Sequence, residues 1–322
     1  MRESLPSRWK TWLLLSLALS GAAIVLLTAL TRHKGVWASL RQLSLAFLGL
    51  ALLIDVASWV VDGWRLRIVA RAMGYEVRMR DAFPMMMACY FMAAVTPFMS
   101  GGAPVQIYGL HRLGVPLSEA TAMVFVSGTL AQVVLFALAL PVILMGGAGH
   151  DFLGGMTNAA VLLYGAGLAG YILLLLKAKQ VVRLSLRVGR ALTGGRSAPT
   201  GRGRRLAWRL LRFSHTFQRT VALLSLGRPY QLLVAALSLL LFYLLFFSLA
   251  PVLAAGLGAQ VPYVPSLARQ VGFYLLLSIV PTPGGSAAAE LGIAAVFVGL
   301  VPEHLLLPLA LSWRAITFYL KL

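Results

Sequence analysis

Apolar residues form long runs along this chain, and polar residues are concentrated between the runs. A helix needs about 20 apolar residues to cross a bilayer, and in lipid only helices and closed barrels satisfy every backbone group. Apolar and polar residues do not alternate within the runs, which excludes a membrane β-barrel. The pattern predicts an all-α polytopic membrane protein with a single transmembrane domain over residues 1–322. Six full spans are predicted, at residues 11–30, 43–62, 120–145, 157–176, 230–256 and 304–320.

Two further apolar regions, residues 83–114 and 270–300, are interrupted by a Thr-Pro pair followed by glycines. Proline removes a backbone donor and disfavours helix at the residue before it, while glycine permits positive φ, so the chain should turn at each interruption. Each arm has only about 14 residues, whereas two full crossings need about 40. The sequence therefore predicts two re-entrant hairpins made of broken helices.

The distribution of charge predicts the orientation of the spans. The chain has 28 Lys and Arg against 9 Asp and Glu, a net charge of +19. Residues 63–82 are rich in arginine, and residues 177–219 carry twelve Lys and Arg and no acidic residue, so both segments should be cytoplasmic by the positive-inside rule. Residues 146–156 have no Lys or Arg and should face outward. This topology places the N-terminus inside and brings the two hairpins in from opposite sides of the membrane.

The two halves of the chain share a pattern. Thr96-Pro97 and Val115-Pro116 recur as Thr282-Pro283 and Val301-Pro302, each pair shifted by 186 positions. With the opposed orientations, this predicts inverted repeats over residues 43–145 and 230–322. In transporters of that architecture, broken helices meet near the middle of the bilayer and form the binding site.

The two hairpin turns are candidate binding elements. A half-helix that begins after a turn directs free N–H groups and the positive end of its dipole toward the membrane centre, where they can hold an anion. The alternative is that both turns are packing kinks. The candidate substrate-binding residues are Thr96, Pro97, Ser100, Gly101, Gly102, Gln106 and Arg112 in the first half, and Thr282, Pro283, Gly284, Gly285, Ser286, Glu290 and Arg314 in the second.

Glu290 and Arg314 are charged residues inside apolar segments. Charges in a membrane are costly and are usually paired and functional, so we expect the two side chains to approach each other. A purely structural ion pair is the alternative. Asp55 is a lesser candidate that could reach Arg65 or water, and Asp62 is interpreted as an interfacial cap.

Other kinds of chemistry have little support in the sequence. No hydrolase, kinase or metalloprotease motif is present, and the single Cys89 cannot form a disulfide or a cysteine metal site within one chain. We therefore expect no catalytic residue, metal or cofactor. The arginines accompany no nucleic-acid recognition motif, so the expected partner of the basic segment 177–219 is anionic lipid.

The stretches TPFMSGGAPVQIYGLHRLGVPLSEATAMV (96–124) and PTPGGSAAAELG (281–292) resemble the lysylphosphatidylglycerol synthase transmembrane family. This family is the flippase-like membrane region of bacterial multiple peptide resistance factors, and it also occurs as stand-alone membrane proteins. The resemblance covers essentially the whole chain. Family members often carry a polar residue where this chain has Ala103.

The resemblance implies that the protein moves a phospholipid or lipid-linked headgroup between leaflets of a bacterial or archaeal cytoplasmic membrane. Fused family members carry a cytosolic domain that transfers lysine to phosphatidylglycerol, and no segment of this chain resembles that domain. Two alternatives are a membrane transferase acting on a lipid and a membrane partner of a separate lipid synthase. The sequence leaves open whether the protein forms a homo-oligomer.

Overall fold

The computed structural model describes residues 9–31, 36–144, 162–173, 201–223, 227–277 and 280–322, together with residues 177, 180 and 184. Among these residues the regular structure is helical, apart from two isolated backbone bridges. The helices of the first half are α1 (Trp9–Thr31), α2 (Val36–Arg41), α3 (Leu45–Ala72), α4 (Met79–Ala94), α5 (Gly102–Arg112) and α6 (Leu117–Leu144). They are followed by α7 (Leu162–Leu173), α8 (Gly201–Ala222), α9 (Pro229–Gly256), α10 (Tyr263–Leu277), α11 (Ala288–Phe297), α12 (Glu303–Thr317) and a 3-10 helix (Tyr319–Lys321).

Three of the described helices are long and apolar enough to cross a membrane. They are Leu45–Ala72, the Leu117–Pro141 part of α6, and Pro229–Gly256. Shorter apolar helices lie at Thr11–Leu26, Leu162–Leu173 and Ala288–Phe297. The predicted spans at 43–62, 120–145 and 230–256 thus correspond to long helices, while a total of six spans stays a prediction. Residues 157–161 and 174–176 of the predicted span 157–176 lie outside the described residues.

The predicted second span ends too early. The sequence placed its end at residue 62 and a loop at 63–82, whereas α3 continues to Ala72. Leu66, Val69 and Ala70 recur at helical spacing and are buried, so this stretch has an apolar face that packs against its neighbours. Arg65, Arg67 and Arg71 therefore lie within the last turns of this helix.

Part of the basic segment 177–219 is a helix rather than a loop. Residues 201–222 form the helix α8, which packs against α6. Phe217 is buried and meets the Phe125 ring edge-on at 6.0 Å between ring centroids. Residues 185–200 lie outside the described residues, and the association of this segment with anionic lipid stays a prediction.

Two sets of four helices have the same order. In the first set the helices begin at residues 45, 79, 102 and 117, and in the second at 229, 263, 288 and 303, so corresponding helices are offset by 184 to 186 positions. In each set a long helix is followed by two short helices that pack against each other, and then by a fourth helix. The fourth helix is shorter in the second set, with 15 residues against 28.

The long helices α3 and α9 pack side by side and run antiparallel. Ser44, at the start of α3, donates its backbone N–H to the carbonyl of Gly256 at the end of α9, at 3.0 Å. The other end of α3 packs near the start of α9, where Ala235 joins the buried cluster around Leu66. The first helices of the two sets therefore run in opposite directions, and the inverted repeat of the whole sets stays a prediction.

The buried apolar residues form two clusters, and each cluster includes a few residues of the other set. One buried cluster is centred on α9 to α12, and the other on the second half of α3 together with α4, α5 and α6. The paired short helices are too short to span a bilayer singly. The 16 residues of α4 and the 11 of α5 correspond to about 24 and 16 Å, against a hydrocarbon core of about 30 Å.

Candidate functional site

The breaks in the two sets of helices lie against each other. We call residues 95–101 the first tip and residues 280–287 the second tip. Pro97 and Pro283 are opposite each other in an antiparallel backbone bridge. A Cβ atom added at Gly284 would lie 2.5 Å from the carbonyl oxygen of Ala94, so the second tip also contacts the end of α4. The predicted meeting of the tips is present in the structure, and their entry from opposite sides of a membrane stays a prediction.

The threonine of each tip satisfies the local backbone. Thr96 accepts a hydrogen bond from the N–H of Gly101 at 2.8 Å and donates to the carbonyl of Met92 at 2.6 Å. Thr282 donates to the carbonyl of Ser286 at 2.9 Å. Each hydroxyl replaces a backbone partner that the break removes, which explains why a Thr-Pro pair marks both turns.

Glu290 and Arg314 form a buried ion pair beside the second tip. Nε of Arg314 donates to Oε1 of Glu290 at 2.8 Å, and the two side chains are 1% and 5% exposed, with Glu290 the more buried. Ser20 of α1 donates to the same carboxylate oxygen at 2.6 Å. The predicted approach of the two charges is therefore confirmed, and their contact with a substrate stays a prediction.

The second tip encloses the guanidinium of Arg314. Its Nη1 and Nη2 atoms lie 3.5 Å from the carbonyl oxygen of Gly284 and 3.4 Å from the hydroxyl of Ser286, respectively. The guanidinium carbon lies 4.0 Å from the centre of the Phe318 ring, a favourable cation–π arrangement. Because Glu290 lies in the first turn of α11, it also faces the positive end of that helix dipole.

One oxygen of Glu290 is left without a partner. Oε1 accepts two hydrogen bonds, whereas Oε2 is buried and has no hydrogen-bond partner among the described residues. A carboxylate oxygen can accept further hydrogen bonds or a proton. The site therefore has one acceptor available for an amine or for a proton.

The first tip differs from the second in exposure. Ser100 and Phe98 are exposed, whereas Gly284, Gly285 and Ser286 are buried. Gln106, one turn into α5, is buried, and its Nε2 has no hydrogen-bond partner among the described residues. Arg112 is exposed at the far end of α5, about 15 Å from the tip along the helix axis. The structure thus brings the tip residues together and leaves Arg112 apart from them.

A second network of buried charges lies on α3. Asp62 accepts a hydrogen bond from Nε of Arg65 at 2.7 Å, and its other oxygen accepts one from the hydroxyl of Tyr90. Asp55 is fully buried, and the nearest cation is Lys321, whose Nζ lies 3.9 Å from Oδ1. Lys321 also lies 5.2 Å from the centre of the Tyr90 ring.

Two interpretations of these aspartates are wrong. Asp62 is not an interfacial cap, because it is buried and bound to Arg65 and Tyr90. Asp55 does not reach Arg65, because that guanidinium is paired with Asp62, which is about two turns closer along the helix. Among the described residues, no group of three or more His, Cys, Asp or Glu side chains could hold a metal ion.

Comparison with known proteins identifies the family. Residues 13–322 match the model of the lysylphosphatidylglycerol synthase TM region. The chain therefore belongs to the lysylphosphatidylglycerol synthase TM-region family. It is also 24% identical to a UPF0104 membrane protein of Archaeoglobus fulgidus over 324 aligned residues, which cover 95% of this chain and 92% of the relative. The family predicted from residues 96–124 and 281–292 is confirmed.

Within this lysylphosphatidylglycerol synthase TM-region protein, sequence reasoning missed Ser20 and Lys321 as polar partners. Ser20 lies in an apolar run, and serine is common in membrane helices, so nothing local distinguishes it from a packing residue. Lys321 follows the last predicted span, where a lysine ordinarily extends to the headgroups. A signal was available in Asp55, since a carboxylate in an apolar helix requires a partner.

Proposed function

We propose that the protein is a lipid flippase or lipid transporter that moves a phospholipid or a lipid-linked headgroup between the leaflets. The observation that carries this proposal is the buried Glu290–Arg314 pair beside the meeting tips of two broken helices. Opposed sets of helices with broken members in corresponding places are typical of transporters. In those proteins the breaks surround the substrate site.

The free-energy cost of burying Glu290 and Arg314 supports a functional role for this ion pair. Removing two charges from water costs several kcal/mol per ion, and well-packed apolar residues in place of a buried pair are often neutral or stabilising. A pair retained at the contact between two sets of helices is therefore better explained by what it binds than by stability alone. The unpartnered Oε2 of Glu290 is consistent with a ligand that is present during only part of a cycle.

In the proposed mechanism, opening of the tips exposes Arg314 and Glu290 to a lipid headgroup. The planar guanidinium can hold a phosphate through two parallel hydrogen bonds. Glu290 then engages an amine of the headgroup or carries a coupling proton. Return of the Glu290–Arg314 contact releases the headgroup and closes the site.

The proposal is tested by replacing Glu290 with glutamine in proteoliposomes that contain only this protein. Glu290→Gln keeps the shape of the side chain and removes its charge, so we expect translocation of a fluorescent phospholipid to fall to the rate of protein-free vesicles. Arg314→Lys keeps the charge but loses the planar fork, so we expect partial activity. Translocation by the purified protein alone would also distinguish transport from the transferase and synthase-partner alternatives.

Glu303→Gln is the matched control, because Glu303 is an exposed acid in the first turn of α12. It should translocate at the wild-type rate. Thermal unfolding is measured for every variant beside activity. Full activity of Glu290→Gln contradicts the site assignment, and inactivity that accompanies unfolding indicates a structural pair instead.

A further inference from the structure

A groove of about 450 Å³ lies where the end of α3 meets the start of α9. The helix α4, about 24 Å long, lies between this groove and the first tip in the chain. None of the lining residues belongs to the proposed transport site. Its walls come from the last turns of α3, from the connection 73–78 and from the first turns of α9. The positive-inside pattern assigns this end of the molecule to the cytoplasmic surface.

Three arginines line the groove against one acid. Arg67, Arg71 and Arg78 contribute the positive charge, and Glu76 the single carboxylate. Arg67 is held in place, because its Nε donates to the carbonyl of Val77 at 2.9 Å. Arg71 and Arg78 are exposed, and the described part of the chain shows neither a hydrogen bond nor an ion pair for their guanidinium groups. The groove therefore has a net positive charge and two guanidinium groups available for an anion.

Tyr75 closes one wall of the groove. Its hydroxyl donates to Oε2 of Glu119 at 2.9 Å. Burial and this carboxylate raise the pKa of Tyr75 above its ordinary value, so the side chain stays neutral and adds no negative charge to the arginine wall.

Two apolar stripes lead away from the groove. One runs back along α3 through Trp64, Val60, Val56 and Leu53, and the other runs forward along α9 through Tyr230, Leu233, Leu237 and Leu241. Within each stripe the spacing is three or four residues, which places its members on one helix face. All eight side chains are between 40% and 73% exposed. Each stripe spans 12 residues, a rise of about 16 Å, which is close to the hydrocarbon depth of one leaflet.

We propose that this groove binds the phosphate of an anionic phospholipid of the cytoplasmic leaflet, with its two acyl chains along the two stripes. Arg71 and Arg78 bind the phosphate, and Trp64 and Tyr230 lie at the level where headgroup and chains join, as aromatic residues do at membrane interfaces. The apolar stripes favour a membrane lipid over a soluble phosphate, which would use the arginines alone. The site is distinct from the basic segment 177–219, and it does not depend on the transport proposal.

The test compares two arginines that are two positions apart. Arg78 lines the groove, whereas Arg80 does not and has a 73% exposed side chain. Full-length protein in detergent is titrated with phosphatidylglycerol or phosphatidylcholine, and bound lipid is counted by native mass spectrometry. Arg78→Gln should weaken phosphatidylglycerol binding about fivefold, equivalent to about 1 kcal/mol per basic residue at the membrane surface. Arg80→Gln should leave it unchanged, and phosphatidylcholine should bind more weakly than phosphatidylglycerol.

The apolar part of the site is tested with Trp64→Ala and with glycerol phosphate as a soluble probe. Trp64→Ala should weaken binding of phosphatidylglycerol and leave binding of glycerol phosphate unchanged. Equal losses for Arg78→Gln and Arg80→Gln would overturn the site, because the effect would then be one of net charge. Glycerol phosphate binding as tightly as phosphatidylglycerol would overturn the lipid assignment. Because Arg78 is exposed, thermal unfolding of Arg78→Gln should match the wild type, and this keeps each outcome interpretable.

Discussion

Asp62 and Arg65 show how a charge is accommodated inside an apolar helix of this protein. Both side chains are 8% exposed, and they lie one turn apart on α3, so a local contact neutralises them. Tyr90 of α4 adds a hydrogen bond to the second carboxylate oxygen. The pair therefore joins the first long helix to the first short helix of the same set.

Asp62→Asn should destabilise the protein strongly. The variant leaves Arg65 buried without a counter-charge, a change that typically costs about 3 to 5 kcal/mol. The measurement is the apparent Tm of the purified protein in detergent, with Asp81→Asn as the control. Asp81 is more exposed and lies 3.9 Å from Arg80, so its replacement should cost less than about 1 kcal/mol. Similar Tm values for the two variants would show that the Asp62–Arg65 contact contributes little.

At the scale of single residues, the sequence predicted contacts between charges but not all of their partners. Glu290 and Arg314 were recognisable because each interrupts an apolar segment, and a buried charge requires an opposite one. The partnership of Asp55 with Lys321 joins residues 266 positions apart. Such a contact follows from how the helices pack, and no local pattern encodes it.

At the scale of elements, the contact between the tips depends on Gly284. Its φ of +58° lies in the left-handed region, and an added Cβ would lie 2.5 Å from both the carbonyl oxygen of Ala94 and a ring carbon of Phe318. Any side chain at this position would therefore strain the backbone and separate the second tip from α4.

Gly284→Ala should lower stability by about 2 to 5 kcal/mol, the sum of left-handed strain and overpacking. Gly299→Ala is a matched control, because Gly299 has a φ of +74° but no atom within 4 Å of an added Cβ. It should lose only the strain component of about 1 to 2 kcal/mol. Thermal unfolding of the two variants measures the difference. If both lose the same amount, close packing at the tip is unimportant.

The boundaries of the elements were predictable to different degrees. The breaks at the tips were clear, because proline and glycine restrict or free the backbone locally. The end of α3 was not, because Arg65, Arg67 and Arg71 resemble the basic loop that usually follows a span. Tertiary packing of Leu66 and Val69 extends the helix through them, and a local charge pattern cannot anticipate that packing.

At the scale of the whole molecule, the predicted inverted arrangement of the two sets has a testable consequence. It predicts from which side of the membrane each tip is accessible to water-soluble reagents. Cysteines are introduced one at a time at Ser100, His150, Thr200 and Ser286, in a background with Cys89 replaced by Ala. Positions 150 and 200, which lie outside the described residues, should react with membrane-impermeant thiol reagents from outside and inside, respectively. Positions 100 and 286 should react slowly, or only from opposite sides.

Position 286 should be the slowest of the four, because Ser286 is fully buried. The accessible controls are positions 150 and 200, which also report the orientation of the protein in the vesicles. Rapid and equal labelling of positions 100 and 286 from one side would exclude an inverted arrangement of the two tips.

The contact between Asp55 and Lys321 joins two residues that are made at very different times during translation. Ribosomes add about 5 to 20 residues per second, so the 266 positions between the two residues correspond to roughly 13 to 50 s of translation. During that interval α3 already exists, while both the antiparallel α9 and the cation for Asp55 are still being made. Until Lys321 is made, the Asp55 side chain of α3 lacks the cation that lies beside it in the complete fold. The contact between Asp55 and Lys321 can therefore form only late in synthesis, after the helix that carries Asp55 has been made.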